Sequence, residues 1–295
     1  MNSYRELRSG QRSQVWIGGP TMRTPTLLLE TDDILLEAPN WSLDGRFLYV
    51  NGHGVLWTID VDTADLREVP FDRLPEINND HVLSPDGRSI YMSAADGQIY
   101  KGALNGGPVE RLTADDGVWH FLHGVSPDGG ELAWVEMSDF SEPGRLVIGS
   151  SSPGGNSRTI DTGPGHLDGP EWSPDGTWIY FNTESFTTDP GHAQLARINA
   201  QGGLPELLVK SGSVDWFPHL SPDGRFAAYV SFPPGTRGHP ADLDVRVNVV
   251  STEDWPTSIE NYALFGGQGT MNVNSWSPGS DRFAFVAYPL HRVQG

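Results

Sequence analysis

The chain has 295 residues, no cysteine, and 19 basic against 38 acidic residues, for a formal net charge of −19 at pH 7. The lack of cysteine excludes a disulfide framework or a thiolate metal site, and the acidic balance excludes nucleic acid, which would require a basic stripe. No apolar run is long enough for a bilayer helix, so membrane insertion is not expected, and residues 1–10 lack the apolar core of a signal peptide, so a cytoplasmic location is.

In chain order, two short alternating segments come first, Ser13–Gly18 and Pro25–Glu30. The first copy of a recurring element follows: Trp41-Ser42-Leu43-Asp44-Gly45, an apolar residue leading into a polar turn, then the alternating strand Phe47-Leu48-Tyr49-Val50. The turn returns as Ser84-Pro85-Asp86-Gly87, Ser126-Pro127-Asp128-Gly129, Ser173-Pro174-Asp175-Gly176 and Ser221-Pro222-Asp223-Gly224, and in degraded form as Ser277-Pro278-Gly279-Ser280-Asp281. The serines at 42, 84, 126, 173, 221 and 277 are spaced by 42, 42, 47, 48 and 56 residues. A repeat of that length is one supersecondary unit that buries its faces only by stacking on neighbours. Proline presets φ, glycine takes the left-handed position, and a hairpin turn results. Two further strand signals follow in each unit, so four antiparallel strands per repeat are expected.

Six such units arranged radially make an all-β, six-bladed β-propeller of four-stranded antiparallel blades. The sixth turn is followed by only one strand, Arg282–Tyr288, before the chain runs out. The two spare N-terminal strands are therefore expected to close the C-terminal blade. The predicted boundaries are 12–31 for the outer strands of the last blade and 32–76, 77–114, 115–162, 163–210 and 211–266 for blades one to five, with 267–290 holding the inner strands of the last.

The repeated Ser-Pro-Asp-Gly turn resembles the WD-like repeat of the TolB propeller family over essentially the whole chain. Proteins of that family are periplasmic, carry an extra N-terminal domain and bind partners of a cell-envelope complex. The resemblance therefore implies a protein-interaction scaffold, one of two functional expectations. The sequence is also similar in outline to oligogalacturonate lyases, seven-bladed propellers with turns of this type, a manganese ion held by histidines and an acidic sugar substrate.

The other expectation comes from the residues. With the turns at one rim, the start of each inner strand lies at the other, beside the channel. Reading back from each serine gives Asn78, Asn79, Asp80 and His81; Trp119, His120 and His123; His166, Asp168 and Glu171; Asp215, Trp216 and His219; and Asn272 and Asn274. The long irregular stretch 233–242 adds Arg237 and His239. Imidazole and carboxylate converging from several blades suit a divalent metal such as manganese or zinc, or general acid–base chemistry. His81, His123 and His219 are the expected metal or catalytic histidines, with Asp80 as their carboxylate partner, and the remainder are expected to contact a small-molecule or carbohydrate ligand, with lyase or hydrolase chemistry. Polar groups at inner-strand starts would equally serve to satisfy backbone and channel water. Lys and Arg are nearly absent from these segments, which favours a neutral ligand. Trp41, Trp172 and Trp276, each just before a turn, are expected to pack between blades.

Overall fold

The computed structural model describes residues 4–290 and folds as a six-bladed β-propeller. Five sheets are built from consecutive strands, with inner strands Glu37–Trp41, Ile77–Leu83, Trp119–Val125, Leu167–Trp172 and Val214–Leu220. The sixth is shared between the chain ends: Phe283–Ala287 pairs antiparallel with Ser13–Gly18, which pairs with Thr26–Thr31. Its innermost position is held by an irregular segment that ends in a bridge from Trp276 to Phe283. The short strand Phe71–Asp72, in the connection between the first two blades, runs parallel to Gly107–Arg111 as a fifth strand on the second blade.

The turn chemistry explains why the motif recurs. In the fourth blade Ser173 Oγ donates to Asp175 Oδ1 at 2.5 Å and accepts from the Trp178 amide at 2.9 Å, while the Gly176 amide donates to the Ser173 carbonyl. The same serine-centred hydrogen bonds hold the other four intact turns. In the degraded copy Ser280, at φ 60°, takes the left-handed position that glycine holds elsewhere, and Asp281 accepts from Ser277 Oγ at 2.8 Å. The turn survives because the carboxylate has moved along the chain with it.

Packing follows the ring. Six apolar clusters among the described residues each join neighbouring blades, and the one containing Val15, Leu36, Trp41, Ala284 and Val286 joins the sixth blade to the first. Trp41, Trp172 and Trp276 are all buried in such clusters, as packing between blades requires.

The inner strands are not regular. Each of the five carries a register shift just before its turn. At three of them a residue four positions before the serine adopts positive φ: Ala38 (52°), Gly169 (62°) and Phe217 (58°). A large aromatic in that conformation is uncommon and needs its surroundings to hold it. The Phe217 ring is fully buried and lies against the rings of His123, His219 and His239, with centroids 5.8, 6.5 and 5.1 Å away. Gly169 makes room for it: a β-carbon there would stand 2.8 Å from Phe217 Cδ1.

Candidate functional site

A cavity of about 690 Å³ opens beside the starts of the inner strands of blades two, three and four. The second blade contributes Asn78, Asn79 and Asp80. On the third blade strand alternation sends Trp119, Phe121 and His123 into the cavity, while Leu122 packs in the cluster shared with the second blade. His120, on the opposite face from Trp119, turns away and its Nδ1 meets the Gly97 carbonyl at 2.8 Å. The fourth blade adds His166 and Asp168, and the 233–242 loop reaches over to add His239.

Four of these groups meet. His123 Nε2 lies 2.8 Å from Asp168 Oδ1 and 3.8 Å from Asp80 Oδ1, and His239 Nε2 lies 3.5 Å from Asp168 Oδ2. His123 Nδ1 faces the Asn272 carbonyl at 3.2 Å, so both ring nitrogens point at acceptors and the ring is an imidazolium. Burial opposes that charge, but Asp168 and Asp80 outweigh it and push the ring up to about 9. Burial likewise works against the Asp168 carboxylate, yet His123 and His239 hold it well below the usual range. Asp80 is balanced the other way: burial and the charge of Asp168 raise it to about 6 in spite of His123. Thus one imidazolium serves two carboxylates, bonded directly to Asp168 and reaching Asp80 only at 3.8 Å.

The same cavity has an aromatic wall. Trp119 and Phe121 stack with centroids 6.2 Å apart and planes 9° apart, and Phe140 lies 5.3 Å from the first and 6.2 Å from the second. Phe140 is 64% exposed, and it belongs with Ser141, Glu142 and Pro143 to the loop between the second and third strands of its blade.

The other expected residues lie outside this cavity, and several of them link one blade to another. His81 is fully buried, bonded through Nδ1 to Asn40 Oδ1 at 2.9 Å, and burial pushes its ring down to about 3. His219 Nδ1 meets Glu171 Oε2 at 2.6 Å and its Nε2 faces the Met271 carbonyl at 3.3 Å. Glu171 also accepts from the Leu220 amide and from Asn274 Nδ2, and the Asn274 carbonyl accepts from Asn40. Asn272 Oδ1 takes the Gly269 amide. Asp215, raised by burial, accepts from Ser211 and Ser231, and Trp216 is core. Arg237 is exposed at the edge of its loop. The expectation that His81, His123 and His219 share one metal is not met by this geometry: among the described residues no three histidine, aspartate or glutamate side chains are placed to hold an ion. The physical reason is that His123 and His219 already engage acceptors at both nitrogens, and His81 is tied to the first blade.

Comparison with known proteins decides the family. An uncharacterised protein of Agrobacterium fabrum is 34% identical over 284 residues, covering 94% of this chain and 92% of its own. The solved structure of a TolB-like protein from Agrobacterium tumefaciens is 34% identical, covers 95% of this chain and 99% of its own, and superposes with a TM-score of 0.85. The chain belongs to the TolB-like six-bladed β-propeller family. No protein-family model matches it. TolB from Acinetobacter baumannii, 18% identical, covers 87% of this chain and 64% of its own with a TM-score of 0.62. An oligogalacturonate lyase in complex with manganese, 16% identical, covers 89% and 75% with a TM-score of 0.53. At those identities the likeness is one of fold.

In this TolB-like propeller the reading from sequence missed Phe121, Phe140, Glu142, Glu184 and Gln268, all of which line the cavity. Phe121 was available from the alternation Trp119-His120-Phe121-Leu122-His123, in which every second residue shares a face. Phe140 and Glu142 lie in a loop with no histidine to draw attention to it.

Proposed function

We propose that this protein binds a small organic ligand in the cavity on blades two to four, the ligand's apolar face against Trp119, Phe121 and Phe140 and its polar edge at Asp80, His123 and Asp168. The observation that carries the reading is the pairing of an aromatic wall with a buried acid–imidazole cluster inside one cavity of about 690 Å³, a size that suits a small ligand. The cluster also supplies the means for proton transfer. Asp80, raised to about 6, is placed to take up and release a proton near neutral pH, its anion favoured by His123 and opposed by Asp168. A neutral sugar stacked on the wall and hydrogen-bonded at its hydroxyls fits this arrangement. An acidic sugar does not, because among the described residues the lining includes Asp80, Glu142, Asp168 and Glu184 and no lysine or arginine.

The test is a thermal-shift and calorimetric screen of neutral mono- and oligosaccharides, uronic acids, and small amines against the wild type and a Trp119→Ala variant. Binding that Trp119→Ala weakens at least about tenfold supports the cavity, since truncating a stacking aromatic removes its whole contact surface. No binding in any class would overturn the reading and leave the interaction-scaffold role implied by the family, to be sought by affinity capture.

A further inference from the structure

Asp80 is only 4% exposed, yet among the described residues its carboxylate has one hydrogen bond, from Asn78 Nδ2 to Oδ2 at 2.7 Å. Its Oδ1 faces His123 Nε2 at 3.8 Å, beyond hydrogen-bond reach, because that N–H is committed to Asp168 at 2.8 Å. A largely buried carboxylate whose second oxygen is open to a cavity is matched best by a cation placed there. His123 and His239 both lie nearer Asp168, at 2.8 and 3.5 Å, so neither gives Asp80 a hydrogen bond. Asp80 lines the cavity, and so do the three clustered aromatic rings, whose faces attract positive charge. Glu142 and Glu184 add further negative groups at the wall.

Resting on the reading of the cavity as a ligand site, we propose that its ligand is an organic cation: a primary ammonium that donates to Asp80 Oδ1, carried on an apolar or aromatic body that lies on Trp119, Phe121 and Phe140. A primary ammonium fits better than a quaternary one, because the unfilled carboxylate oxygen calls for an N–H donor. The ligand's ammonium would give Asp80 the donor that His123 gives to Asp168.

The proposal is tested with three probes of one shape: phenethylamine, 2-phenylethanol and phenylacetate, titrated calorimetrically into the full-length protein at pH 7.5. The amine is expected to bind at least about tenfold more tightly than the alcohol, the advantage of a charge-assisted hydrogen bond to a carboxylate, and the carboxylate not to bind. Asp80→Asn, checked for folding by its melting curve, should bring the amine's affinity down to that of the alcohol. Trp119→Ala should weaken amine and alcohol together. Equal affinity for amine and alcohol in the wild type, or an amine preference that survives Asp80→Asn, would overturn the cation and leave the cavity standing. Failure of every probe, together with neutral sugars, would remove the cavity reading itself.

Discussion

Asp80 is the residue whose surroundings least suit its charge. A carboxylate raised from 3.8 to about 6 binds a proton more tightly in the folded chain than in the unfolded one. Stability is therefore lost as pH rises between those values, and the penalty is complete above about 6. Each tenfold change in proton affinity is worth about 1.4 kcal/mol, so Asp80→Asn should stabilise the protein by roughly 1–3 kcal/mol at pH 7.5, and the gain should shrink toward zero near pH 4. Urea unfolding of both proteins at the two pH values measures this. An equal effect of the substitution at both would show that Asp80 is not a buried, charged group at neutral pH. Its neighbour behaves oppositely. His123 is raised to about 9, so its contribution is fully present below 6.5 and fades as pH rises through 9. Each residue was visible in the sequence as a titratable group near an inner-strand start. Their division into a hydrogen-bonded pair and an odd carboxylate was not, because it depends on distances between three blades.

At the scale of the element, the turn serine does more than shape a hairpin. In Ser173→Ala the Trp178 amide loses its acceptor and Asp175 loses a 2.5 Å donor, at a site where the serine is buried. Leaving such groups unmet costs about 1–2 kcal/mol. The sixth turn is held more loosely, with the Arg282 amide 3.3 Å from Ser277 Oγ, so Ser277→Ala should cost less. Denaturant midpoints of the two variants decide it, and equal losses would show that the serine–amide hydrogen bond is not what stabilises the turn. The turns and the strands after them were legible from proline, glycine and period-two alternation. The inner strands were less so: their bulges at Ala38, Gly169 and Phe217 re-aim side chains and carry no local signal except the glycine. For that reason His219 and Glu171, expected at the mouth, instead tie the fourth, fifth and sixth blades together.

For the whole molecule, the ring is closed by Ser13–Gly18 inserted between Phe283–Ala287 and Thr26–Thr31. Val15 is fully buried and pairs with Val286 on one side and Leu29 on the other. Without these strands the last blade would present an open edge and two apolar interfaces to water. A chain lacking residues 1–31 should therefore lose its cooperative melting transition and associate. A peptide spanning residues 11–31, added in excess, should restore the elution volume and cooperative melting of the intact protein. Size-exclusion chromatography and a thermal scan measure both outcomes, and a truncated monomer that melts like the intact protein would refute closure as the source of cooperativity.

The sequence by itself determined the repeat, the number of blades, the closure by the N-terminal strands and the packing role of the tryptophans before the turns. All of these follow from local rules of turn chemistry, alternation and the need of each unit for a neighbour. Only the tertiary structure decided which polar residues form the cavity. Trp119, Phe121 and His123 share a strand face, but Phe140 comes from a loop, Asp80 and Asp168 from the blades on either side, and His239 from a loop of the fifth blade. Their meeting is set by the angle between blades and by bulges a few residues long, and neither leaves a pattern that can be read along one chain.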